Sequence, residues 1–92
     1  MDVRVLIERS VEGDWQAFAD LVGAYQHLAF GYAFAMLGDF HLAEDATQEA
    51  FAAIYFDLHK LRSPESFPWW LRGVVRHHCS RILRKPRLPS VP

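Results

Sequence analysis

The sequence of 92 residues lacks the features that mark several classes of protein. Its single cysteine, Cys79, cannot form an internal disulfide, which is compatible with a reducing cytoplasm. The longest apolar-rich stretch, Leu28–Leu37, is too short to cross a bilayer, and the start lacks the charged-then-apolar pattern of a signal peptide. No segment alternates cleanly between polar and apolar residues, so no strand is predicted. We therefore expect one all-α cytoplasmic domain, a compact bundle of three or four helices.

Positive charge is scarce in most of the chain and is concentrated at its end. Residues 1–59 carry two arginines against ten carboxylates, a net charge of −8. Residues 60–92 carry eight lysines and arginines against one glutamate, a net charge of +7. Such a split indicates two different surfaces, one suited to phosphates and one to a basic or neutral protein. The alternative is that the two faces only attract each other within the fold.

Turn-forming residues divide the chain into four predicted helices. In the pairs Gly13-Asp14 and Gly38-Asp39, the glycine can end one helix in a left-handed conformation while the aspartate caps the next. The apolar spacing between the breaks predicts helices over about 3–10, 15–37, 40–61 and 66–85. The inner stripe of the second helix is predicted to be Phe18, Leu21, Val22, Tyr25, Leu28, Tyr32 and Met36. The domain is expected to cover residues 1–85, and the proline-rich residues 86–92 to be a linker or tail that something follows.

One face of the third predicted helix is acidic and carries an aromatic ring. At 100° per residue, five residues fall together opposite the apolar stripe: Asp45, Gln48, Glu49, Ala52 and Phe56. The carboxylates near the helix start could simply complement the helix dipole. Phe56 lies where a soluble monomer would prefer a charge, and beside the carboxylates it indicates a docking surface for a partner helix.

The fourth predicted helix interleaves arginines with an aromatic residue and small residues. Its inner stripe is predicted to be Leu71, Val74, Val75, His78 and Ile82. Its outer face presents Trp69, Arg72, Gly73, Arg76, His77, Ser80 and Arg84. Guanidinium groups pair with phosphates, small residues permit close approach, and an indole can stack on an unpaired base, so this face indicates nucleic-acid binding. Trp69 and Trp70 could instead be core anchors, and Trp70 lies nearer the apolar stripe.

Neither a metal site nor a catalytic site is expected. His77, His78 and Cys79 are consecutive helical residues that point about 100° apart, so they cannot converge on one ion. We expect His78 to be a hydrogen-bonded core residue and Cys79 a small buried one. The carboxylates have no partnered base, and no serine stands in a nucleophile motif. The chain is predicted to be non-enzymatic and to need no cofactor.

Three segments resemble region 2 of the sigma-70 family, most closely its extracytoplasmic-function group. Residues 13–18, GDWQAF, resemble the opening motif GD-x-x-AF. Leu37-Gly38-Asp39 followed by residues 43–51, AEDATQEAF, resembles the core-binding helix motif AED-x-x-QE-x-F. Residues 67–76, FPWWLRGVVR, resemble the segment that leads into minus-ten recognition. The three motifs occur in order at family-like spacing over residues 7–85, and together they are specific.

The resemblance implies a promoter-recognition domain that grips RNA polymerase and helps to melt DNA. It implies that Asp45, Gln48, Glu49, Ala52 and Phe56 contact the clamp helices of the largest polymerase subunit. The loop over residues 62–68 would hold a flipped base of the non-template strand, and the fourth helix would read or brace the minus-ten element. The implied DNA-binding residues are Arg62, Ser63, Ser66, Phe67, Trp69, Trp70, Arg72, Arg76, His77, Ser80 and Arg84. Such a protein acts at the nucleoid and can have an anti-sigma factor as a partner; no membrane partner is expected.

Some features depart from the family. The chain has His77 where the family often has asparagine, the loop before Trp69 is short, and Trp69-Trp70 is closer to the tandem tryptophans of primary sigma factors. No second DNA-binding domain is recognisable in the 92 residues. One alternative is a sigma-like module that occupies an anti-sigma factor without touching DNA, and another is a sigma-type domain fused to an unrelated regulatory domain. The retained Trp69, Arg72, Arg76 and Arg84 favour DNA binding over the first alternative.

Overall fold

Four helices make up the computed structural model, which describes residues 2–84. They are α1 (Val3–Val11), α2 (Trp15–Leu37), α3 (Phe40–Asp57) and α4 (Phe67–Arg84), with short 3₁₀ turns at Leu58–Lys60 and Pro64–Ser66. Residues 2–84 contain no strand, and the prediction of an all-α bundle is confirmed. The predicted linker, residues 86–92, lies outside the described residues.

The breaks between the first three helices form as the sequence predicts. Gly13 and Gly38 have φ of +100° and +65°, a region that side chains with a Cβ avoid. The Asp14 carboxylate accepts a hydrogen bond from the Ala17 N–H at 3.1 Å, and the Asp39 carboxylate accepts one from the Leu42 N–H at 2.9 Å. Each aspartate therefore satisfies one of the free N–H groups that begin a helix.

The predicted end of α3 was wrong by one turn. We expected the α-helix to continue to Leu61, but it ends at Asp57 and tightens into the 3₁₀ turn Leu58–Lys60. Such tightening is common at helix ends because it satisfies carbonyls that have no α-helical partner. The turn keeps Leu58 in the core, where it is 3% exposed.

Helices α2 and α3 pack together in the bundle, and both have completely buried alanines. Five alanines on the two helices are completely buried: Ala29, Ala33, Ala43, Ala46 and Ala50. Small side chains let two helix backbones approach closely, and a helix turns 100° per residue, so the use of Ala29 for this contact directs Leu28 outward. Leu28 and Met36, which were predicted to be core residues, are accordingly 43% and 36% exposed. Those two predictions were wrong.

The least charged element is α2, in which Asp20 is the one acidic or basic residue other than histidine. It packs against α1, α3 and α4, so it is the central element of the bundle. Within the described residues, none of the helices combines the length and the apolar character needed to cross a membrane.

On the inner face of α4, every fourth residue from Phe67 to Cys79 is a core residue. Phe67, Leu71, Val75 and Cys79 are all completely buried. The residues predicted beside them, Val74, His78 and Ile82, are half-buried at the edge of the contact. The prediction that Cys79 is a buried residue is confirmed, and its burial raises the pKa of the thiol.

Candidate nucleic-acid interface and acidic face

The outer face of α4 is exposed along its whole length. Trp69 is 72% exposed, which is unusual for so large an aromatic side chain. Arg72, Gly73, Arg76, His77 and Arg84 are also exposed, and Ser80 is half-buried. We call these seven residues, from Trp69 to Arg84, the basic face. Its composition and orientation match the surface that the sequence predicts.

Arg72 holds together two aromatic side chains from different helices. Its guanidinium carbon lies 6.0 Å from the centroid of the Trp69 ring and 5.8 Å from that of the Tyr32 ring on α2. Both distances are within the range of a cation–π contact. Tyr32 was predicted only as a core residue. Its ring is half-buried, and it contacts the basic face through Arg72. Helical spacing within α4 alone cannot reveal a contact from another helix.

Two of the aromatic residues predicted to bind DNA belong wholly or partly to the core. Phe67 is completely buried and packs edge-on against Tyr25, with 5.0 Å between the ring centroids. Its prediction as a DNA contact was wrong, because the first turn of α4 directs this ring between α2 and α4. Trp70 is half-buried and packs edge-on against Phe67 at 6.2 Å. Trp69 is therefore the indole that the basic face presents fully to solvent.

The loop before α4 is bonded to itself and to α1. The Ser66 hydroxyl donates to the Ser63 carbonyl at 2.6 Å, and the Ser63 hydroxyl donates to the Glu65 carboxylate. Glu65 in turn forms an ion pair with Arg4. Both serines were predicted to contact DNA, but their hydroxyl protons are engaged within the loop. Arg62 is exposed and remains available for a phosphate.

An open groove of about 610 Å³ runs between α3 and α4, beside the basic face. The residues that line it are Ala53, Asp57, Trp69, Trp70, Gly73, Val74, His77 and His78. Gly73 is one of the lining residues. A Cβ added to it would meet no atom within 4 Å, so a side chain at this position would project into open space. The groove is therefore open partly because residue 73 has no side chain. Asp57 was not among the predicted site residues. Its place beside Ala53, one helical turn earlier, is visible on a helical wheel, but its proximity to α4 is not.

The acidic face of α3 is exposed to solvent, and its Glu49 lines a shallow pocket together with Arg81, Ile82 and Arg84 of α4. Its five predicted residues, Asp45, Gln48, Glu49, Ala52 and Phe56, are all exposed. Phe56 is 72% exposed and contacts the ring of Tyr55 edge-on at 5.3 Å. Tyr55 also packs edge-on against Trp15 at 5.4 Å, so the exposed aromatic surface extends from α3 to the start of α2. Helical spacing within α3 alone does not reveal this extension.

The residue Glu49 lies at the edge of the acidic face that is nearest to α4. Its Oε2 is 3.4 Å from Nδ1 of His78, but the geometry does not form a hydrogen bond, and Nδ1 is buried without a hydrogen-bond partner. The expectation that His78 is a hydrogen-bonded residue was therefore wrong for Nδ1, although the side chain is mostly buried, with 12% of its area exposed at the edge of the core.

Ion pairing does not hold the two faces together. In the described part of the chain, ion pairs within 4 Å join Arg4 to Glu65 and Lys60 to Asp57, and the Glu49 carboxylate lies within 4 Å of the His78 ring. None of them includes an arginine of α4. Over residues 2–84, no three His, Cys, Asp or Glu side chains lie close enough to hold a metal ion. The basic face thus keeps its positive charge available for a ligand.

The described fold is a small helical domain with an arginine-and-tryptophan surface on α4 and a carboxylate-and-aromatic surface on the preceding helix, α3. The model of sigma-70 region 2 matches residues 21–88. The chain therefore belongs to the sigma-70 region 2 family.

Two curated relatives support the same assignment. The chain is 31% identical over 87 residues to the ECF RNA polymerase sigma factor SigW of Bacillus subtilis, an alignment that covers 95% of this chain and 46% of that protein. It is 39% identical over 85 residues to the RNA polymerase sigma-H factor of Pseudomonas aeruginosa, covering 91% of this chain and 44% of that protein. The chain spans about half the length of these relatives.

Proposed function

We propose that this chain is the domain of a sigma factor that binds core RNA polymerase and recognises the minus-ten element of a promoter. In this proposal, the acidic face of α3 docks on the clamp helices of the largest polymerase subunit. The basic face of α4 binds the non-template strand and helps to keep it unpaired. The domain acts at the nucleoid and catalyses no reaction. The observation that carries the proposal is the 72% exposure of Trp69 on the arginine-bearing side of α4.

The basic face has the components needed to hold a melted strand. Arg72, Arg76 and Arg84 can neutralise phosphates, which makes binding dependent on salt. The exposed Trp69 ring can stack on one unpaired base, a contact that contributes about 1–3 kcal/mol. Unstacking a duplex step costs on the order of a few kcal/mol, so a stacked base offsets a substantial part of that cost. The face therefore favours an open strand over a closed duplex.

The acidic face suits a protein partner of opposite charge. Asp45 and Glu49 supply carboxylates, and the exposed ring of Phe56 supplies apolar area that water solvates poorly. Aromatic residues surrounded by polar groups are typical of the energetic centre of a protein interface. An anti-sigma factor that blocks polymerase binding would have to cover the same surface.

The alternative function, a module that only occupies an anti-sigma factor, has no use for the basic face. A protein of that kind needs α2 and α3 but gains nothing from an exposed indole, whose apolar area lowers solubility, or from arginines that repel one another on one face. The structure contains no ion pair within 4 Å that gives the α4 arginines a role inside the described fold. DNA binding is therefore the function that the exposed side chains favour.

The DNA part of the proposal is tested with Trp69→Ala and Arg76→Ala, using a labelled single-stranded minus-ten oligonucleotide and fluorescence anisotropy. We expect Trp69→Ala to weaken binding at least about fivefold, because one stacking contact is lost. Arg76→Ala should weaken binding and also reduce its dependence on salt. The control is Arg9→Ala, which removes an exposed arginine from α1. If both test variants bind as tightly as the unmodified chain, α4 is not the DNA-binding surface.

The polymerase part is tested with the double variant Gln48→Ala and Glu49→Ala in a pull-down of the clamp-helix fragment. We expect the variant to retain much less of the fragment, since the acidic face loses one carboxylate and one amide. Glu12→Ala, an exposed carboxylate outside the acidic face, serves as the control. Equal retention by the double variant and the unmodified chain would remove the clamp helices as the partner of α3.

A further inference from the structure

We propose that Arg4 of α1 is a positioning residue for DNA binding, which acts by keeping the carboxylate of Glu65 away from Arg62. Glu65 and Arg62 are three residues apart in the loop before α4. Arg62 is exposed, and none of the ion pairs within residues 2–84 includes it. The inference rests on the proposed single-strand binding and gives α1 a part in it without any contact between α1 and the DNA.

Glu65 is the one acidic residue in a strongly basic part of the chain. From residue 60 to residue 84 the chain carries six lysines and arginines and no other carboxylate. A carboxylate beside a surface that attracts phosphates weakens this attraction unless a cation neutralises it. The cation that pairs with Glu65 comes from outside the basic segment, because it is Arg4 of α1. The pairing therefore consumes none of the positive charge of the loop or of α4.

Both carboxylate oxygens of Glu65 have a partner. Oε1 pairs with Nη2 of Arg4, and Oε2 accepts a hydrogen bond from the Ser63 hydroxyl. The backbone around Glu65 is restricted as well, since Pro64 precedes it and Pro68 follows in the first turn of α4. The two prolines line the same cleft as Arg4 and Glu65. The carboxylate is therefore directed toward α1, with its oxygens already occupied.

The side chain of Arg4 starts from a fixed point of the backbone. Its N–H donates to the carboxylate of Asp2 at 3.0 Å, so Arg4 lies in the capped first turn of α1. The helix is itself anchored in the core, where Leu6 and Ile7 are each 4% exposed. The ion pair consequently forms without any ordering of the backbone of α1.

Without Arg4, the loop contains another cation that Glu65 can reach. Three residues of chain span at most about 11 Å, a distance that the long side chains of Arg62 and Glu65 can bridge. Lys60, the other cation before α4, already pairs with Asp57 at 3.3 Å. An Arg62 that pairs with Glu65 has its charge neutralised and attracts a phosphate less strongly. Arg4 therefore leaves the loop with one cation for the DNA.

The test is a double-mutant cycle of Arg4→Ala and Glu65→Gln, measured by fluorescence anisotropy with a labelled single strand of thymidine nucleotides. We expect Arg4→Ala to weaken binding about two- to fivefold, the effect of one exposed ion pair. It should also reduce the slope of log affinity against log salt concentration by up to about 0.7, the share of one phosphate of a single strand. Glu65→Gln should bind as tightly as the unmodified chain or slightly more tightly, and Arg4→Ala should have no further effect in that background.

The cycle distinguishes an indirect role of Arg4 from a direct one. If Arg4 contacted a phosphate itself, Arg4→Ala would weaken binding by the same factor with and without Glu65→Gln, and the proposal would be overturned. Arg4→Lys keeps the positive charge and should keep most of the affinity. Arg9→Ala removes the same charge from an exposed position of the same helix and should leave the affinity nearly unchanged.

Arg62→Ala removes the group through which Arg4 is proposed to act. In a chain that carries Arg62→Ala, the effect of Arg4→Ala should be much smaller, and an undiminished effect there would overturn the proposal. A merely structural role of Arg4 would weaken binding equally in all three backgrounds, with a loss of helical circular dichroism under the same conditions. If the unmodified chain binds the strand and Arg4→Ala binds equally well, the inference fails and the proposed function stands. No binding by the unmodified chain would refute both.

Discussion

Phe67 and Trp69 are two residues apart in the first turn of α4, and their replacement by alanine should have opposite consequences. Phe67 is completely buried, and truncation of a buried phenylalanine typically costs about 3–5 kcal/mol of stability. In a domain of this size, 1 kcal/mol corresponds to roughly 4–8 °C in Tm. Phe67→Ala should therefore lower Tm by about 12 °C or more, or leave the chain unfolded.

The corresponding change at Trp69 should leave stability almost unaltered. Because the indole is 72% exposed, little of its area is buried by folding, and its contact with Arg72 is a cation–π contact at an exposed site, about 0.5–1 kcal/mol. Alanine recovers up to about 0.5 kcal/mol through its higher helix propensity. We expect a net change within about 0.5 kcal/mol for Trp69→Ala.

The assay is urea and thermal unfolding followed by far-ultraviolet circular dichroism, with single-strand binding measured on the same samples. Trp69→Ala should bind more weakly while its Tm stays within about 4 °C of that of the unmodified chain. The reasoning would be refuted if Trp69→Ala destabilised the chain as much as Phe67→Ala, since the indole would then be packed in solution. Phe67→Leu, which keeps most of the buried volume, should fall between the two.

Three smaller predictions concern the turns and the buried thiol. Gly38→Ala should cost about 1 kcal/mol because φ is +65°, whereas Gly73→Ala should stabilise the helix by up to about 1 kcal/mol; equal unfolding midpoints for the two variants would contradict the assigned conformations. Asp39→Ala should cost about 1 kcal/mol by removing the cap of α3, and Asp39→Asn should recover most of that loss in urea unfolding. Burial raises the pKa of the Cys79 thiol, so the thiolate forms more readily in the unfolded chain; stability should fall as the pH rises above about 8.5, and the thiol should react slowly with Ellman's reagent until urea is added. A fast reaction of the native chain would show that Cys79 is accessible.

The sequence predicts the helices well because their signals are local. The limits of α2 are set by Asp14 at one end and by Gly38 at the other, and both positions agree with the structure. A capping aspartate and a left-handed glycine act within one helical turn, so both can be recognised in the sequence without knowledge of the fold. The exposure of Trp69 and Arg76 was predictable for the same reason, since it depends on the periodicity of one helix.

The positions that were mispredicted depend on contacts between helices. Leu28 is as apolar as any core residue, but α2 buries Ala29 and Ala33 instead, and sequence periodicity does not indicate which of two adjacent apolar stripes is used. Phe67 was assigned to DNA through its motif, whereas the packing against Tyr25 makes it a core residue. Asp57 was not predicted as a site residue because the groove that it lines is completed by α4, which begins ten residues later in the chain.

Every fourth residue of α4 from Phe67 to Cys79 is completely buried. The helix therefore cannot slide or rotate without disturbing the packing of the bundle. The outer side of the same helix consequently has a rigid backbone, which fixes in advance the positions from which its arginines and indole project. A ligand that meets a rigid surface must supply the conformational adjustment itself. On such a template, a nucleic acid changes shape more readily than the protein does, and a base leaves its stack more easily than α4 leaves its neighbours.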